Sequence, residues 1–479
     1  MNNKADFKFK RPQPTQAESP YGFDEFFFST TDKRGVIKSG NDVFVRVSGY
    51  AKENLIGAPH SLIRHPDIPR CVFKLFWSVL NTNKPIAAYV KNLSANGNYY
   101  WVFAFAFPIE DGYLSIRFKP SSDIFKLVQS VYAEILDYEK KTSMDEAETL
   151  LLEKIKSVGF PDYETFMIHA ALEELKARSQ KVLEQTVKKN IAQERVPSTT
   201  GVGQITEVVN GTSLQLDDMF ERVQTFQKSN QIFSATIESM KKGIFNLKFI
   251  SLNMTIAASR FGEVAQSLGV VSKEFAGLSE KIEALLNGLS GFTKTLSEVI
   301  QQCTLQITAL NLQMHMVEFF VKESLAKANS NSEFSANAFA ELNENRVGFS
   351  KLFHDYTKSL NEQVCTMRSR LVTLDEQMAE AQKYVTGLEV IRQVGTIESA
   401  RIDEIKKAFV HYLEEMNAFI KLVKDANVSI HGEVNSLEAN SKVIMNSTAT
   451  LEGRVELIFS LSSATEQKKD KPLPTLSAD

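Results

Sequence analysis

Hydrophobic and polar residues follow two different patterns along the chain. Before residue 122, short runs rich in aromatic and β-branched residues are typical of β-strands, and turns that contain glycine separate the later runs. The segment from Asn41 to Leu80 favours short helices instead. Together these features predict an α+β domain over residues 21–122, after a disordered tail at 1–20. The strand-like runs are FFFSTTD, GVIKSG, AAYVKNL, YYWVFAFAFPI and YLSIRFK.

After residue 122 the apolar positions recur at helical spacing. Residues 123–190 predict a helical connector, and the Pro, Gly, Ser and Thr residues that follow predict a linker over 191–213. The absence of proline favours long helices over 214–462, and the polar end of the chain predicts a disordered tail at 463–479. Steps of three and four, as in a coiled coil, separate Ile282, Leu285, Leu289, Phe292, Leu296, Val299 and Cys303.

The helical region contains a faint internal repeat. The segments LKFISLNMTIAASRFGEV and LEVIRQVGTIESARIDEI share residues at matching positions, so that Arg260 recurs as Arg401 and Glu263 as Glu404. If each copy marks the bend of a helical hairpin, the chain holds two tandem hairpins, at 214–327 and 335–462. Two such hairpins predict one four-helix bundle within a single chain.

Composition and charge narrow the class of protein. The chain of 479 residues is 43% hydrophobic and 24% charged, which is ordinary for a globular protein, and its net charge of −3 argues against a nucleic-acid partner. Three scattered cysteines suit a reducing compartment. Because we find no apolar run of membrane-spanning length and no secretion signal, we predict a cytoplasmic protein. Common catalytic motifs are also missing, so we predict no enzymatic activity.

The stretch HSLIRHPDIP, residues 60–69, concentrates groups that can hold a ligand. An arginine such as Arg64 can meet phosphate oxygens with a fork of charged hydrogen bonds, and His60 and His65 can each donate or accept. Asp67 can orient either neighbour, and Trp77 can stack on a planar ring.

A structural interpretation of the same stretch stays open. An ion pair between Arg64 and Asp67 would shape the turn, and Trp77 would fill the core. A metal site is not predicted, because the histidines and Cys71 show no recognised ligand spacing.

The α+β domain resembles the PAS domain of the aerotaxis-receptor family. Its motifs STTD, NDVFVRVSGY, RHPDIP and KNLSANGNYYWV follow the family's order and spacing. Members of that family hold flavin adenine dinucleotide (FAD) noncovalently and respond to its redox state, so the resemblance implies FAD as the cofactor. One position departs, because Ile86 stands in NKPI where the family usually has tryptophan. The cofactor-binding residues that we expect, with His60 of the same stretch included, are Asn41, His60, Arg64, His65, Asp67 and Trp77.

The helical region resembles a divergent chemoreceptor signalling domain of the methyl-accepting type. The stretch FISLNMTIAASRFGEVAQSLGVVSKEFAGLS aligns without gaps with the tip of that family's helical hairpin, which contacts a histidine kinase and a coupling protein. The family's tip glutamate is Ala257 here, whereas the second copy keeps it as Glu398. The implied tip residues in the two copies are Asn253, Arg260, Glu263, Glu274, Arg401 and Glu404.

The two resemblances imply a cytoplasmic redox or oxygen sensor for energy taxis. In that hypothesis a cofactor-binding PAS domain controls the coiled coil, which signals to a chemotaxis-type kinase or coupling protein, and two chains could form a homodimer. Haem is the second candidate cofactor, because His60 or His65 could serve as an axial ligand. The alternative is a ligand-free PAS and coiled-coil scaffold that organises signalling proteins.

Overall fold

A computed structural model describes residues 11–188, 201–329 and 346–469 of the chain. Its N-terminal domain contains one antiparallel sheet, in which five strands follow the order β2-β1-β5-β4-β3. The predicted fold class, an α+β domain followed by long helices, is confirmed. The strands are β1 (Phe26–Thr31), β2 (Ile37–Gly40), β3 (Ile86–Leu93), β4 (Tyr99–Ile109) and β5 (Gly112–Phe118).

Short helices fill the chain between β2 and β3. They are α1 (Asp42–Ser48), α2 (Lys52–Leu55), a 3-10 turn (His60–Ile63) and α3 (Arg70–Leu80). Helix α1 begins where the Asn41 side chain accepts a hydrogen bond from the backbone N–H of Phe44, and it ends at Gly49, whose φ is 70°.

The two faces of the sheet carry different side chains. Because side chains alternate along a strand, the register that pairs Ala104 with Arg117 places both on one face, which we call the inner face. Phe103 and Phe105, which alternate with Ala104 and Ala106 along β4, point to the opposite or outer face. The inner face looks toward α3, and the outer face packs against helices that follow the domain.

Three connector helices follow the sheet: α4 (Asp123–Glu139), α5 (Met144–Ser157) and α6 (Tyr163–Lys188). Glu174 of α6 is fully buried and accepts hydrogen bonds from the backbone of Ser121 (2.7 Å) and from the Tyr89 hydroxyl (2.9 Å). Burial raises the pKa of this carboxyl. Glu174 thereby joins α6 to both the sheet and the start of α4.

The N-terminal tail predicted at 1–20 is corrected for its second half. The backbone of Thr15 donates to the carbonyl of Gly97, and that of Ser19 donates to the carbonyl of Tyr99. These bonds satisfy backbone groups at the β3–β4 turn, which the composition of the tail does not reveal. Residues 1–10 lie outside the described part of the chain.

Four long helices make up the rest of the described chain. They are α7 (Gly201–Arg260), α8 (Gln266–Asn329), α9 (Arg346–Ser399) and α10 (Asp403–Lys469). None of the helices in the described ranges combines the length and hydrophobicity that a bilayer crossing requires.

The limits of two predicted segments change. Residues 201–213, predicted as part of the 191–213 linker, are helical, because packing of the buried Ile205 and Val209 overrides the weak helix propensity of their glycine and threonine neighbours. Residues 463–469 of the predicted tail continue α10. Residues 191–200 and 470–479 lie outside the described residues.

The described chain divides into two compact units. The first unit consists of the residues up to 216, residues 307–357 and the residues from 451 onward. It therefore includes the N-terminal domain and the connector helices. The second is made of residues 217–306 and 358–450, which belong to α7, α8, α9 and α10.

Within the second unit the long helices pair in antiparallel fashion. Along α7 and α8, an ion pair joins Lys248 to Glu283, and a hydrogen bond farther from the bend joins Gln227 to Thr304. Pairs between α9 and α10, between α7 and α10 and between α8 and α9 run in the same opposed sense. The four segments therefore form one four-helix bundle from two hairpins of a single chain.

Candidate functional site

A cavity of about 590 Å³ lies between the inner face of the sheet and α3. Its volume is in the range of small-molecule sites. Alanines line it where β3 and β4 pass, namely Ala88, Ala104 and Ala106. Larger side chains at these buried positions would fill the space, so the short methyl groups are the reason that a cavity exists.

A buried cluster of polar groups borders the cavity at β5. Arg117 is only 4% exposed, and its Nη2 donates to Ser29 Oγ (2.9 Å) and to His60 Nε2 (2.7 Å). Its Nη1 is buried and has no hydrogen-bond partner. Burial lowers the pKa of Arg117 to about 10, which leaves the guanidinium charged at neutral pH.

His60 is the neutral partner in this cluster. Burial, and then the charge of Arg117, lowers the pKa of His60 well below its ordinary value. An uncharged imidazole can therefore accept the hydrogen bond from the guanidinium. The His60 ring also stacks on Phe44 at 6.3 Å between ring centres.

Arg64 lies where this cavity meets a second one of about 470 Å³. Its guanidinium sits 4.0 Å from the centre of the Phe73 ring. Burial lowers the pKa of Arg64, and the nearby charges of Arg11 and Arg70 act in the same direction. These three arginines border the second cavity together.

The charges around the first cavity have one sign. Its lining includes five basic side chains and no aspartate or glutamate. Lys74, Arg70 and Arg34 form ion pairs with carboxylates outside the lining, whereas no carboxylate pairs with Arg64 or Arg117 within the described ranges. The cavity therefore favours a ligand that carries negative charge.

Trp77 closes one side of the cavity. Its ring meets Tyr113 edge to face at 5.5 Å, and a Cβ at Gly35 would lie 2.9 Å from it. Gly35 has a φ of 78°, so the absence of a side chain permits both the turn and the close approach of the indole.

The structure separates the residues that we predicted as one site. His60, Arg64 and Trp77 line the first cavity, whereas His65 lines the second. Asn41 and Asp67 line neither cavity. The six predicted residues therefore do not line one cavity together, because some line the first, one lines the second and two lie outside both.

Asn41 has a structural role. Its Oδ1 accepts from the backbone of Phe44 and Phe28, and its Nδ2 donates to the carbonyl of Phe26 at 2.8 Å. The side chain thus joins α1 to β1.

Asp67 and His65 form a pair beside the second cavity. Asp67 makes an ion pair with Lys91 at 2.5 Å and lies 3.4 Å from His65 Nδ1. Burial, and then Lys91, lowers the pKa of His65, and its buried Nε2 has no partner. The alternative Arg64–Asp67 ion pair is not formed.

Sequence reasoning missed Arg117, Asn92 and Ser115, all of which line the cavity. The available signal was the alternation in YYWVFAFAFPI and YLSIRFK, which places small or polar residues on one face of each strand.

Arg260, Glu263, Arg401 and Glu404 lie at the two helix bends. Asn253 and Glu274 lie within the helices on either side of the first bend, and all six residues are exposed. The first bend contains Gly262, whose φ of 62° suits glycine, and Arg260 and Glu263 flank it. Large apolar residues of α7 and α8 near that bend are also exposed: Phe245, Phe249, Leu252, Ile256 and Val270.

Comparisons with known proteins agree with the architecture of the N-terminal domain. Residues 37–115 match the family described as the PAS fold. The N-terminal domain has the PAS fold. This PAS domain lies in a region 39% identical over 126 residues to the aerotaxis receptor of Escherichia coli K12. That match spans 25% of this chain and 25% of the receptor.

Two solved structures are also similar to the PAS region. A PAS domain from Colwellia psychrerythraea is 24% identical, covers 21% of this chain and 87% of its own, and has a TM-score of 0.19. A cysteine-to-serine mutant of Vivid is 16% identical, covers 23% of this chain and 91% of its own, and has a TM-score of 0.18.

Proposed function

We propose that this protein is a redox or oxygen sensor whose PAS domain binds a flavin nucleotide and controls the helices that follow. The observation that carries the proposal is the cavity itself, which combines an alanine-lined apolar wall with unpaired cations at Arg64 and Arg117. An aerotaxis receptor is among the proteins most similar to this domain, which supports a role in signalling.

The residues present fit a flavin dinucleotide. The apolar wall and Trp77 suit a planar ring, and the buried Nη1 of Arg117 needs an acceptor. At the second cavity Arg70 is already paired with Glu139, which also lines it, so Arg11 and Arg64 are the cations that suit a pyrophosphate there. Bound FAD would supply a group that takes up and releases electrons, while the chain's own residues hold it and exclude water.

Haem fits the same residues less well. His60 Nε2 is engaged by Arg117, so axial ligation through that atom would break a buried hydrogen bond. His65 lines the second cavity, away from the alanine-lined wall. Both observations favour flavin.

The outer face of the sheet supplies a route to the long helices within the same compact unit. Phe28 of β1 meets Phe320 of α8 at 5.9 Å and Phe349 of α9 at 5.6 Å. Phe107 of β4 meets Tyr356 of α9 at 5.6 Å. A change in the strands would alter the packing of α8 and α9 directly, in addition to any effect through the connector.

We further propose that the bend of the first hairpin is the output surface for a chemotaxis-type kinase or coupling protein. The sequence around this bend resembles the tip of the chemoreceptor family, which supports the proposal. Exposed apolar side chains such as Phe249 and Leu252 are also typical of a binding surface. The predicted cytoplasmic location, homodimer and lack of enzymatic activity stay predictions.

An absorbance spectrum of the purified full-length protein tests the cofactor. We expect flavin bands in the wild type and their loss or reduction in Arg64→Ala, because a half-buried cation at the junction of the two cavities is removed. Arg34→Ala is the matched control, since Arg34 also borders the cavity but is exposed and paired with Asp32.

Other outcomes would replace the proposal. A Soret band would show haem, and protein that stays colourless after addition of FAD would favour the scaffold. Equal flavin content in Arg64→Ala and wild type would remove Arg64 from the site.

A further inference from the structure

The strongest observation outside the predicted residues is a buried cation that lacks a counterion. We infer that the charge of Arg117 makes the cavity selective for the charge of its ligand. The cavity then binds reduced, anionic flavin in preference to oxidised, neutral flavin. This inference rests on the proposed flavin site and adds a redox role for a residue on β5.

The geometry around Arg117 leaves one direction open. Nη2 is used by Ser29 and His60, whereas Nη1 has no partner although the residue lines the cavity. Both occupied partners are neutral groups, since His60 is uncharged at neutral pH. The Phe44 ring, 5.6 Å from the guanidinium carbon, also faces the charge but carries no negative charge of its own. An anionic ligand atom that accepts from Nη1 would therefore supply the missing counterion.

Charge balance explains the preference. A flavin ring that takes up two electrons and one proton from a low-potential donor, such as dithionite in the experiment, carries one negative charge. A charge-assisted hydrogen bond from a guanidinium strengthens when its acceptor becomes anionic. Arg117 therefore stabilises the reduced ring more than the oxidised ring, which raises the midpoint potential of the bound flavin above the value that the same site would give without this charge.

The experiment compares Arg117→Gln and Arg117→Lys with the wild type in the full-length chain loaded with FAD. Glutamine keeps a hydrogen-bond donor without the charge, and lysine keeps the charge. We expect Arg117→Gln to weaken binding of reduced FAD about ten- to a hundredfold more than binding of oxidised FAD. The midpoint potential of the flavin bound to Arg117→Gln should be correspondingly more negative than in the wild type. Arg117→Lys should restore much of the wild-type potential, because it keeps the charge. Dye-equilibrated reductive titration measures the potentials, and equilibrium dialysis of oxidised FAD measures its affinity.

Arg34→Gln is the matched control, because it removes a cation that borders the same cavity but is exposed and paired with Asp32. We expect it to leave the binding of both redox forms and the potential unchanged. A potential that does not change in Arg117→Gln, in protein that still binds FAD, overturns the inference and leaves the flavin site standing. Absence of FAD binding by the wild type overturns the proposed function itself.

Discussion

The two faces of the PAS sheet are built from the same strands but have opposite packing. Along β4, Ala104 and Ala106 border the cavity, whereas Phe103, Phe105 and Phe107 are buried on the outer face. The outer face gains the apolar burial that stabilises the domain. The inner face lacks that burial, and the space that its alanines leave is large enough for a small molecule.

The two faces are also connected by adjacent residues of one strand. Ser29 receives the hydrogen bond from Arg117 on the inner side, and its neighbour Phe28 contacts Phe320 and Phe349 on the outer side. A shift of β1 caused by the ligand would therefore reach α8 and α9 through one peptide unit. Close packing on the outer face makes such a shift difficult to absorb locally.

Filling the inner face should have the largest effect. Ala106→Leu places a branched side chain in the cavity, and we expect at least about a hundredfold loss of flavin affinity because ring and side chain compete for the same space. Equilibrium dialysis of FAD, with circular dichroism to verify folding, measures the result.

Ala87→Leu is the control for this prediction. Ala87 lies on the outer face of the adjacent strand and is equally buried, so the substitution adds the same volume without entering the cavity. Equal loss of flavin by the two variants, or retention of flavin by Ala106→Leu, would contradict the assignment of the ligand cavity to the inner face.

Much of this architecture could be predicted from the sequence. All five strand-like runs form strands, because alternating β-branched and aromatic residues are a local signal. The resemblance to aerotaxis receptors identified the domain and two residues of the cavity, Arg64 and Trp77, and the composition of HSLIRHPDIP indicated His60. Arg117 could not be assigned in the same way, since the face that it occupies depends on its register with β1 and β4.

The helical seam shows a second limit. The sequence predicts Ile282, Leu285 and Leu289 as one seam, whereas the structure buries Leu286 and leaves Leu285 partly exposed. Two adjacent leucines satisfy both possible phases of a three-and-four pattern, so only packing against the other helices selects one.

Truncating the outer face should have the next largest effect. Phe28→Ala removes a ring that is 2% exposed, and we expect a loss of about 3–5 kcal/mol in the free energy of unfolding of the PAS domain. Both tryptophans, Trp77 and Trp101, lie in this domain, so their fluorescence during urea denaturation reports its unfolding. Leu127→Ala in α4 of the same compact unit, at a side chain that is 43% exposed, should cost less than about 0.5 kcal/mol. Similar losses for the two variants would contradict the assignment of the outer face as a packed interface.

The smallest effect is expected from the protonation of His60 on the inner face, which makes the free energy of unfolding depend on pH. The pKa of His60 is lowered in the folded protein, so the unfolded chain takes up a proton first as the pH falls below about 6.5. Stability from the neutral imidazole is therefore fully present above that pH and is lost below it, by up to about 1.4 kcal/mol per pH unit.

Glutamine at this position can still accept a hydrogen bond from Arg117 but does not titrate. We expect His60→Gln to match the wild type near neutral pH and to show a shallower fall in the free energy of unfolding toward about pH 5. Burial lowers the pKa of His65 as well, so part of the slope should remain in the variant. Urea denaturation followed by tryptophan fluorescence across this range measures both slopes. Equal slopes would mean that His60 takes up its proton in the folded protein as readily as in the unfolded chain, and that the inner face is less isolated from water than its burial indicates.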